Sequence, residues 1–317
     1  MDNTASIFVA GHRGLVGSAI VRALERAGCR NLILRTRQEL DLRDQHAAER
    51  FFQAEHPEYV FLAAAQVGGI VANSTRPADF IRDNLQIQTN VIDAAWRHGA
   101  RKLLFLGSSC IYPKFASQPI REEELLAGPL EPTNDAYAIA KIAGIRMARA
   151  YREQYAFPAI SLMPTNLYGP GDDFDFQTAH AMPALIRRFH EAKMQGAPQV
   201  TVWGTGTPRR EFLHADDLAA AAVFLMDRYD SPEIINVGAG DDITIRDLAG
   251  LIQRVVGYRG ALVFDPGKPD GTPRKLLDSS RIHALGWRPG ISLEQGIRET
   301  YEWYVSQLNP EAATVTG

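Results

Sequence analysis

Apolar positions in the first half of the chain fall into short continuous runs. Between them lie longer stretches in which apolar residues recur every three or four positions. The runs at Ser6–Ala10, Leu32–Leu34, Tyr59–Ala63, Lys102–Leu106 and Ala159–Met163 read as buried strands, and Leu15–Ala27, Asp44–Glu55 and Pro77–His98 read as amphipathic helices. Strand and helix in regular alternation predict an α/β fold of the Rossmann type, a doubly wound parallel sheet with helices on both faces. After Pro170 the pattern loosens. Helical periods at Ala181–Lys193 and Asp216–Tyr229 mix with short strands and turns rich in glycine and proline. The expected organisation is a nucleotide-binding domain over 1–170, to which some later elements return. A smaller α/β substrate domain follows over 171–309, with a disordered tail at 310–317.

Composition narrows the partners. The 317 residues are 45% hydrophobic and 22% charged, with a net charge of −3, so no clustered positive field invites nucleic acid or a membrane surface. Two cysteines, Cys29 and Cys110, do not make a disulfide framework, which favours a reducing compartment. The start lacks the pattern of a signal peptide, and no apolar run approaches the length of a membrane span. A cytoplasmic protein is expected. No residue set is assigned to a metal.

Residues 7–17 read I-F-V-A-G-H-R-G-L-V-G, which is G-x-x-G-x-x-G between a strand and a helix. Gly11 suits the tight turn, Gly14 the approach of a pyrophosphate and Gly17 the close packing of the helix. His12, Arg13, Leu15 and Val16 complete the loop, whose helix N-terminus faces the phosphates. The second strand ends L-I-L-R-T-R, with Arg35 and Arg37 where an NAD site keeps an acid. Arginine suits a 2′-phosphate, and Arg13 is within reach of the same group, so NADP(H) is the expected cofactor. Solvated surface arginines are the competing reading.

Two further stretches carry candidate chemistry. In Y-A-I-A-K, Tyr137 and Lys141 lie four apart and share a helix face. A lysine ammonium and an oxidised nicotinamide are both expected to lower the tyrosine pKa, and so to let it exchange a proton with a carbonyl oxygen near neutral pH. In L-G-S-S-C-I-Y-P-K, Ser108 and Cys110 follow the fourth strand. Cysteine at such a place is most often a small buried hydrophobe. It serves as a base where positive charge favours the thiolate.

The glycine loop, S-S-C-I-Y, Y-x-x-x-K and R-R-E-F-L-H-A-D-D (209–217) together resemble the extended short-chain dehydrogenase/reductase family. A-A-A-Q-V-G-G-I-V-A-N, E-P-T-N-D-A-Y-A-I-A-K, M-P-T-N-L-Y-G-P and K-P-D-G-T-P-R-K-L-L-D narrow the resemblance to its nucleotide-sugar members. The resemblance implies NADP(H) chemistry on a GDP-4-keto-6-deoxy-D-mannose substrate: inversion at C-3 and C-5, then reduction at C-4. It implies that Tyr137, Lys141 and Ser108 serve the ketone and that Cys110 and His180 are the base and acid of the inversions. It places Asp41 and Leu42 beside the adenine and Ala63, Ala64 and Ala65 under the adenosine. Leu106, Gly107, Pro164, Thr165, Asn166, Leu167 and His180 fall near the nicotinamide. Ser109, Asn166, Arg188, Trp203, Arg210, Asp270 and Lys275 fall to the substrate, with Arg188, Arg210 and Lys275 as phosphate ligands. A homodimer through two long helices is also implied. Two alternatives stay open. One is another nucleotide-sugar enzyme of the family, although a 4,6-dehydratase carries Thr-Asp-Glu where this chain has Ser-Ser-Cys. The other is an NADP-sensing regulator without catalysis. Cys29 is expected to end a surface helix and is given no chemistry.

Overall fold

The computed structural model describes residues 1–308 apart from Gln177 and Pro269; the tail expected at 310–317 lies outside the described residues. The first half runs β1 (Ile7–Ala10), α1 (Leu15–Arg26), β2 (Leu32–Ile33), α2 (Gln45–Glu55), β3 (Tyr59–Leu62), α3 (Ile70–Thr75), α4 (Pro77–Arg97), β4 (Lys102–Leu106), α5 (Asp135–Tyr155) and β5 (Ala159–Pro164). The second half continues with β6 (Asn166–Tyr168), α6 (Ala181–Gln195), β7 (Gln199–Trp203), β8 (Arg209–Arg210), β9 (Phe212–His214), α7 (Ala215–Arg228) and β10 (Ile235–Val237). It ends with β11 (Ile243–Thr244), α8 (Ile245–Val256), β12 (Ala261–Asp265), β13 (Arg274–Lys275), α9 (Ser280–Ala284) and α10 (Leu293–Leu308).

Six strands form one parallel sheet in the order β10-β5-β4-β3-β1-β2. Because successive side chains on a strand point to opposite faces, each apolar run feeds two cores at once. Phe8, Leu103 and Phe105 enter the core under α2, α4 and α5, while Ile7, Val9, Leu104 and Leu106 enter the one under α1 and α7. Each large side chain so buried contributes about 1.5–3 kcal/mol. Phe8 meets the rings of Phe51 and Phe52 at 4.6 and 5.8 Å. A third core holds α6, α8 and α10 together beyond the sheet, around the parallel pair β7–β12.

The element ends differ from the sequence pattern by a residue or two, for local reasons. Asp44 caps α2 instead of opening it, its Oδ1 accepting the Ala47 N–H at 3.0 Å. Ser6 stays outside β1 because its N–H and hydroxyl are taken by the Glu58 side chain and backbone. Cys29 does not sit at the surface; it is 3% exposed, in the core between α1 and the sheet, and burial pushes its thiol pKa up.

The second half does return to the sheet. β10 pairs with β5, and α7 packs on α1. One close contact places α5: at Gly144 a Cβ would stand 2.4 Å from the Phe105 ring and 2.7 Å from Gln88 Oε1. Gln88 also donates to the Ala140 carbonyl at 2.7 Å. That close approach sets the α5 residues Tyr137 and Lys141 over the C-terminal end of β4. No helix among the described residues is long and apolar enough to cross a membrane.

Candidate active site

The strand ends Ala10, Leu62, Leu106 and Pro164 all open on one side of the sheet, the side where α/β folds bind their ligands. At the β1 end Gly11 has φ +85°, and a Cβ there would lie 2.8 Å from the Ala64 backbone. At Gly17 a Cβ would lie 2.0 Å from the Gly11 carbonyl oxygen, so only glycine lets α1 start this close to the loop. Gly14 caps α1 without a side chain, which leaves the first N–H groups directed outward for an anion. A cavity of about 550 Å³ adjoins this loop, lined by Gly11–Gly14, Arg35–Gln38 and Asp41.

Charge in that cavity divides unevenly. Arg35 is spent on Glu55, at 2.5 Å. Arg13 and Arg37 line the cavity and form no ion pair among the described residues. They are the cations left for a 2′-phosphate. Asp41 lies at the rim with its carboxylate held by Arg43 at 2.6 Å, and that pairing keeps its pKa low. Leu42 packs its side chain in the core, and its carbonyl accepts Asn90 Nδ2 at 2.9 Å. The His12 ring faces the Arg35 backbone, and its buried Nδ1 has no partner; burial holds its pKa down.

The catalytic candidates meet beyond the β4 end. At Gly107 a Cβ would lie 2.4 Å from the end of the Met163 side chain. Ser108 caps a single 3-10 turn, its Oγ accepting the Cys110 N–H at 3.2 Å, and it lies close enough to Tyr137 to lower that residue's pKa. Ser109, expected at the substrate, is 3% exposed and shapes the turn instead. Lys141 is buried; its Nζ donates to the Leu106 carbonyl at 2.8 Å and stands 5.8 Å from the Tyr137 ring centre.

Burial raises the Tyr137 pKa, and the neighbouring Cys110 adds to the rise, with Ser108 opposing. Burial also lowers Lys141 to about 7. The low-polarity setting disfavours charge on both groups.

Cys110 does meet positive charge. Lys275 Nζ stands 3.6 Å from its sulfur. Asn134 Nδ2 donates to the same sulfur at 3.3 Å. Asn134 occupies the N-cap position of α5 yet makes no capping bond, forgoing about 1 kcal/mol of helix stability to reach the cysteine. Sequence reasoning gave it no role, because asparagine before a helix reads as a cap. His180 caps α6 at the open cleft with protein on most sides. Desolvation lowers its pKa, Asp173 opposes, and the charge of Lys275 lowers it further.

The substrate-side cations sort by pairing. In each Arg-Arg dipeptide the first residue is neutralised: Arg187 by Glu191 at 2.7 Å, and Arg209 by Asp242 at 2.6 Å. The second is not. Arg188 donates to the Thr201 carbonyl and Arg210 to the Arg209 carbonyl, at 2.9 and 2.7 Å. Burial alone lowers both of their pKa values, since no carboxylate offsets it. Two half-buried guanidiniums without an anion suit phosphate oxygens. Trp203, at the end of β7, is 61% exposed, which excludes plain core packing. Asp270 is occupied within the protein: its two oxygens accept Thr205 N–H and Oγ1 at 2.9 and 2.7 Å, and so fix the turn after Trp203.

Beneath these residues Thr165 and Asn166 follow β5, and the Asn166 amide is held by the Glu211 carbonyl at 2.7 Å. Leu167 packs into the core beside the sheet.

Comparison with known proteins gives the family. Residues 7–238 match the NAD dependent epimerase/dehydratase family. GDP-L-fucose synthase 1 of Arabidopsis thaliana is 62% identical over 97% of this chain and 95% of its own length. GDP-L-fucose synthase of Escherichia coli strain K12 is 58% identical over 94% of this chain and 96% of its own. A crystal structure of a GDP-L-fucose synthetase from Naegleria fowleri bound to NADP superposes with a TM-score of 0.90. It is 29% identical and covers 97% of this chain and 96% of that one.

Proposed function

The chain belongs to the NAD dependent epimerase/dehydratase family, and from that premise we propose that it converts GDP-4-keto-6-deoxy-D-mannose to GDP-L-fucose with NADPH. The observation that carries the reading is the shared position of two machineries. Ser108 and Tyr137 are neighbours, two hydroxyls of the kind that serve a carbonyl, and the Cys110 thiol two residues on is held by Asn134 at 3.3 Å and Lys275 at 3.6 Å.

The chemistry needs both at one oxygen. The protons at C-3 and C-5 are alpha to the C-4 ketone, and removing either puts negative charge on O-4. Ser108 and Tyr137 donate to that oxygen and stabilise the enolate. Cys110, with an ammonium at its sulfur, takes the proton, and His180 returns one to the opposite face. His180 must be protonated to do so, and the two phosphate charges of the substrate supply a negative field that favours the proton. Arg188 and Arg210 hold the diphosphate, and Trp203 offers its ring to the base. NADPH, when bound, supplies the hydride to C-4 and leaves a positive ring beside Tyr137. Tyr137 then protonates O-4, and Lys141 holds its orientation through the Leu106 carbonyl. Arg13 and Arg37 select the 2′-phosphate.

The test is incubation with GDP-4-keto-6-deoxy-D-mannose and NADPH in deuterated water. NADPH absorbance and deuterium in the product are followed together. Loss of NADPH with deuterium at C-3 and C-5 is expected. Loss of NADPH without deuterium means a plain 4-ketoreductase, and no loss with any GDP-keto-sugar ends the reading.

A further inference from the structure

Glu211 is 0% exposed, yet no arginine, lysine or histidine among the described residues pairs with its carboxylate. Its oxygens are shared between two distant segments. Oε1 accepts the Gly240 N–H at 2.8 Å, and Oε2 accepts the Leu277 N–H at 3.0 Å. Its backbone holds the second of these again and adds a third: its N–H donates to the Lys275 carbonyl at 3.3 Å, and its carbonyl accepts Asn166 Nδ2 at 2.7 Å and Thr165 Oγ1 at 3.4 Å. Burial raises its pKa, and the hydrogen bonds oppose the rise.

Its place in the topology gives this meaning. Glu211 is the single residue between β8 and β9. β8 pairs with β13 and sets Arg210 opposite Lys275; β9 pairs with β6 and sets Phe212 opposite Asn166. A fully buried charge without a counter-charge is costly, and replacing it by an apolar residue of similar size usually costs less. What an apolar residue cannot do is accept two backbone N–H groups from separate segments. We infer that Glu211 is a positioning residue, whose carboxylate fixes the segment bearing Lys275, and with it Arg210, against the Asn166 loop. Through it the thiol of Cys110 receives its ammonium, and the phosphate site is set at a fixed distance from the ketone. Gly238 belongs to the same device, because a Cβ there would stand 2.3 Å from Glu211 Oε1.

The test is Glu211→Gln, which keeps shape and removes one acceptor, leaving an amide NH2 against a buried backbone N–H. Two readouts are taken on NADPH-saturated protein. The first is the rate at which iodoacetamide alkylates Cys110, read by peptide mass; Cys29, 3% exposed, stays silent. The expected result is about tenfold slower alkylation in Glu211→Gln and in Lys275→Met, with the double variant no slower than either, since the two act through one contact. The second is KM for the GDP-keto-sugar, expected to rise about tenfold through Arg210 while NADPH affinity stays within about twofold. Should Glu211→Gln not fold, Glu211→Asp, which keeps the charge but shortens its reach, is read in the same way. Additive losses in the double variant, or a lowered Tm with alkylation and KM unchanged, overturn the inference. The alkylation arm needs no substrate, so its failure is separable from failure of the proposed reaction, which appears as wild-type protein that never consumes NADPH.

Discussion

The two ends of the cleft are built in opposite ways. The cofactor end is local: its cavity is lined by Gly11–Gly14, Arg35–Gln38 and Asp41, all from the first β-α-β unit. Its shape follows from glycines that let a helix start against a strand end. The substrate end is assembled at long range. Cys110 and Lys275 are 165 positions apart, and the Glu211 carboxylate joins Gly240 to Leu277. The lesson is that a phosphate site of backbone N–H groups needs only a turn and a helix, whereas a proton-transfer pair needs groups brought together by the whole fold.

The sharpest way to break this contrast is at the point where the two ends meet. Tyr137→Phe removes the proton donor to O-4, and NADPH oxidation is expected to fall by about 10²–10⁴-fold, with cofactor binding intact by fluorescence titration. Cys110→Ala comes next. Deuterium incorporation at C-3 and C-5 is expected to fall about 10²-fold or more, while NADPH binding stays unchanged. Equal loss of cofactor affinity there would show that the two ends are not separate.

The arginine pairs test the substrate end alone. Arg210→Met removes a guanidinium with no carboxylate partner, and KM for the GDP-sugar is expected to rise about tenfold to a hundredfold. Arg209→Met frees the buried Asp242, which is 2% exposed at its side chain and still held by Arg274, and so is expected to lower Tm with little change in KM. At the cofactor end Arg37→Ser is expected to reduce the preference for NADPH over NADH by about tenfold in kcat/KM.

The smallest effect is on stability. Lys141 has its pKa lowered to about 7 in the ligand-free fold, against about 10.4 in the unfolded chain. Between those values the unfolded chain holds a proton that the folded chain does not, so stability rises with pH across that window. The cost of burying the ammonium is full below pH 7. Lys141→Met is expected to flatten the rise, read as the urea midpoint at pH 7 and pH 9.

Much of the fold was legible because it depends on period. Strand runs and helix spacings depend on which residues are apolar, and that is local; hence β4 and the bodies of α1, α2 and α4 lie where the pattern puts them. The ends depended on single hydrogen bonds, as Asp44 and Ser6 show. At the site the glycine loop and Tyr137–Lys141 were legible for the same local reason. That Lys275 meets the Cys110 sulfur and that Ser109 is buried in its turn was not legible, because neither the parallel pairing of β13 with β8 nor the direction of a 3-10 turn is written in residue spacing.

By itself the sequence determined the alternation of strands and helices, the phosphate loop, and the helix face shared by Tyr137 and Lys141. All of these rest on contacts a few residues apart. Only the tertiary structure decided which arginine of each pair stays free, that Asn134 gives up its capping bond for a cysteine, that burial raises the Tyr137 pKa, and that Glu211 joins three segments. Those outcomes depend on burial and on partners distant in sequence, and desolvation is a property of the assembled volume, which a linear order of residues does not contain.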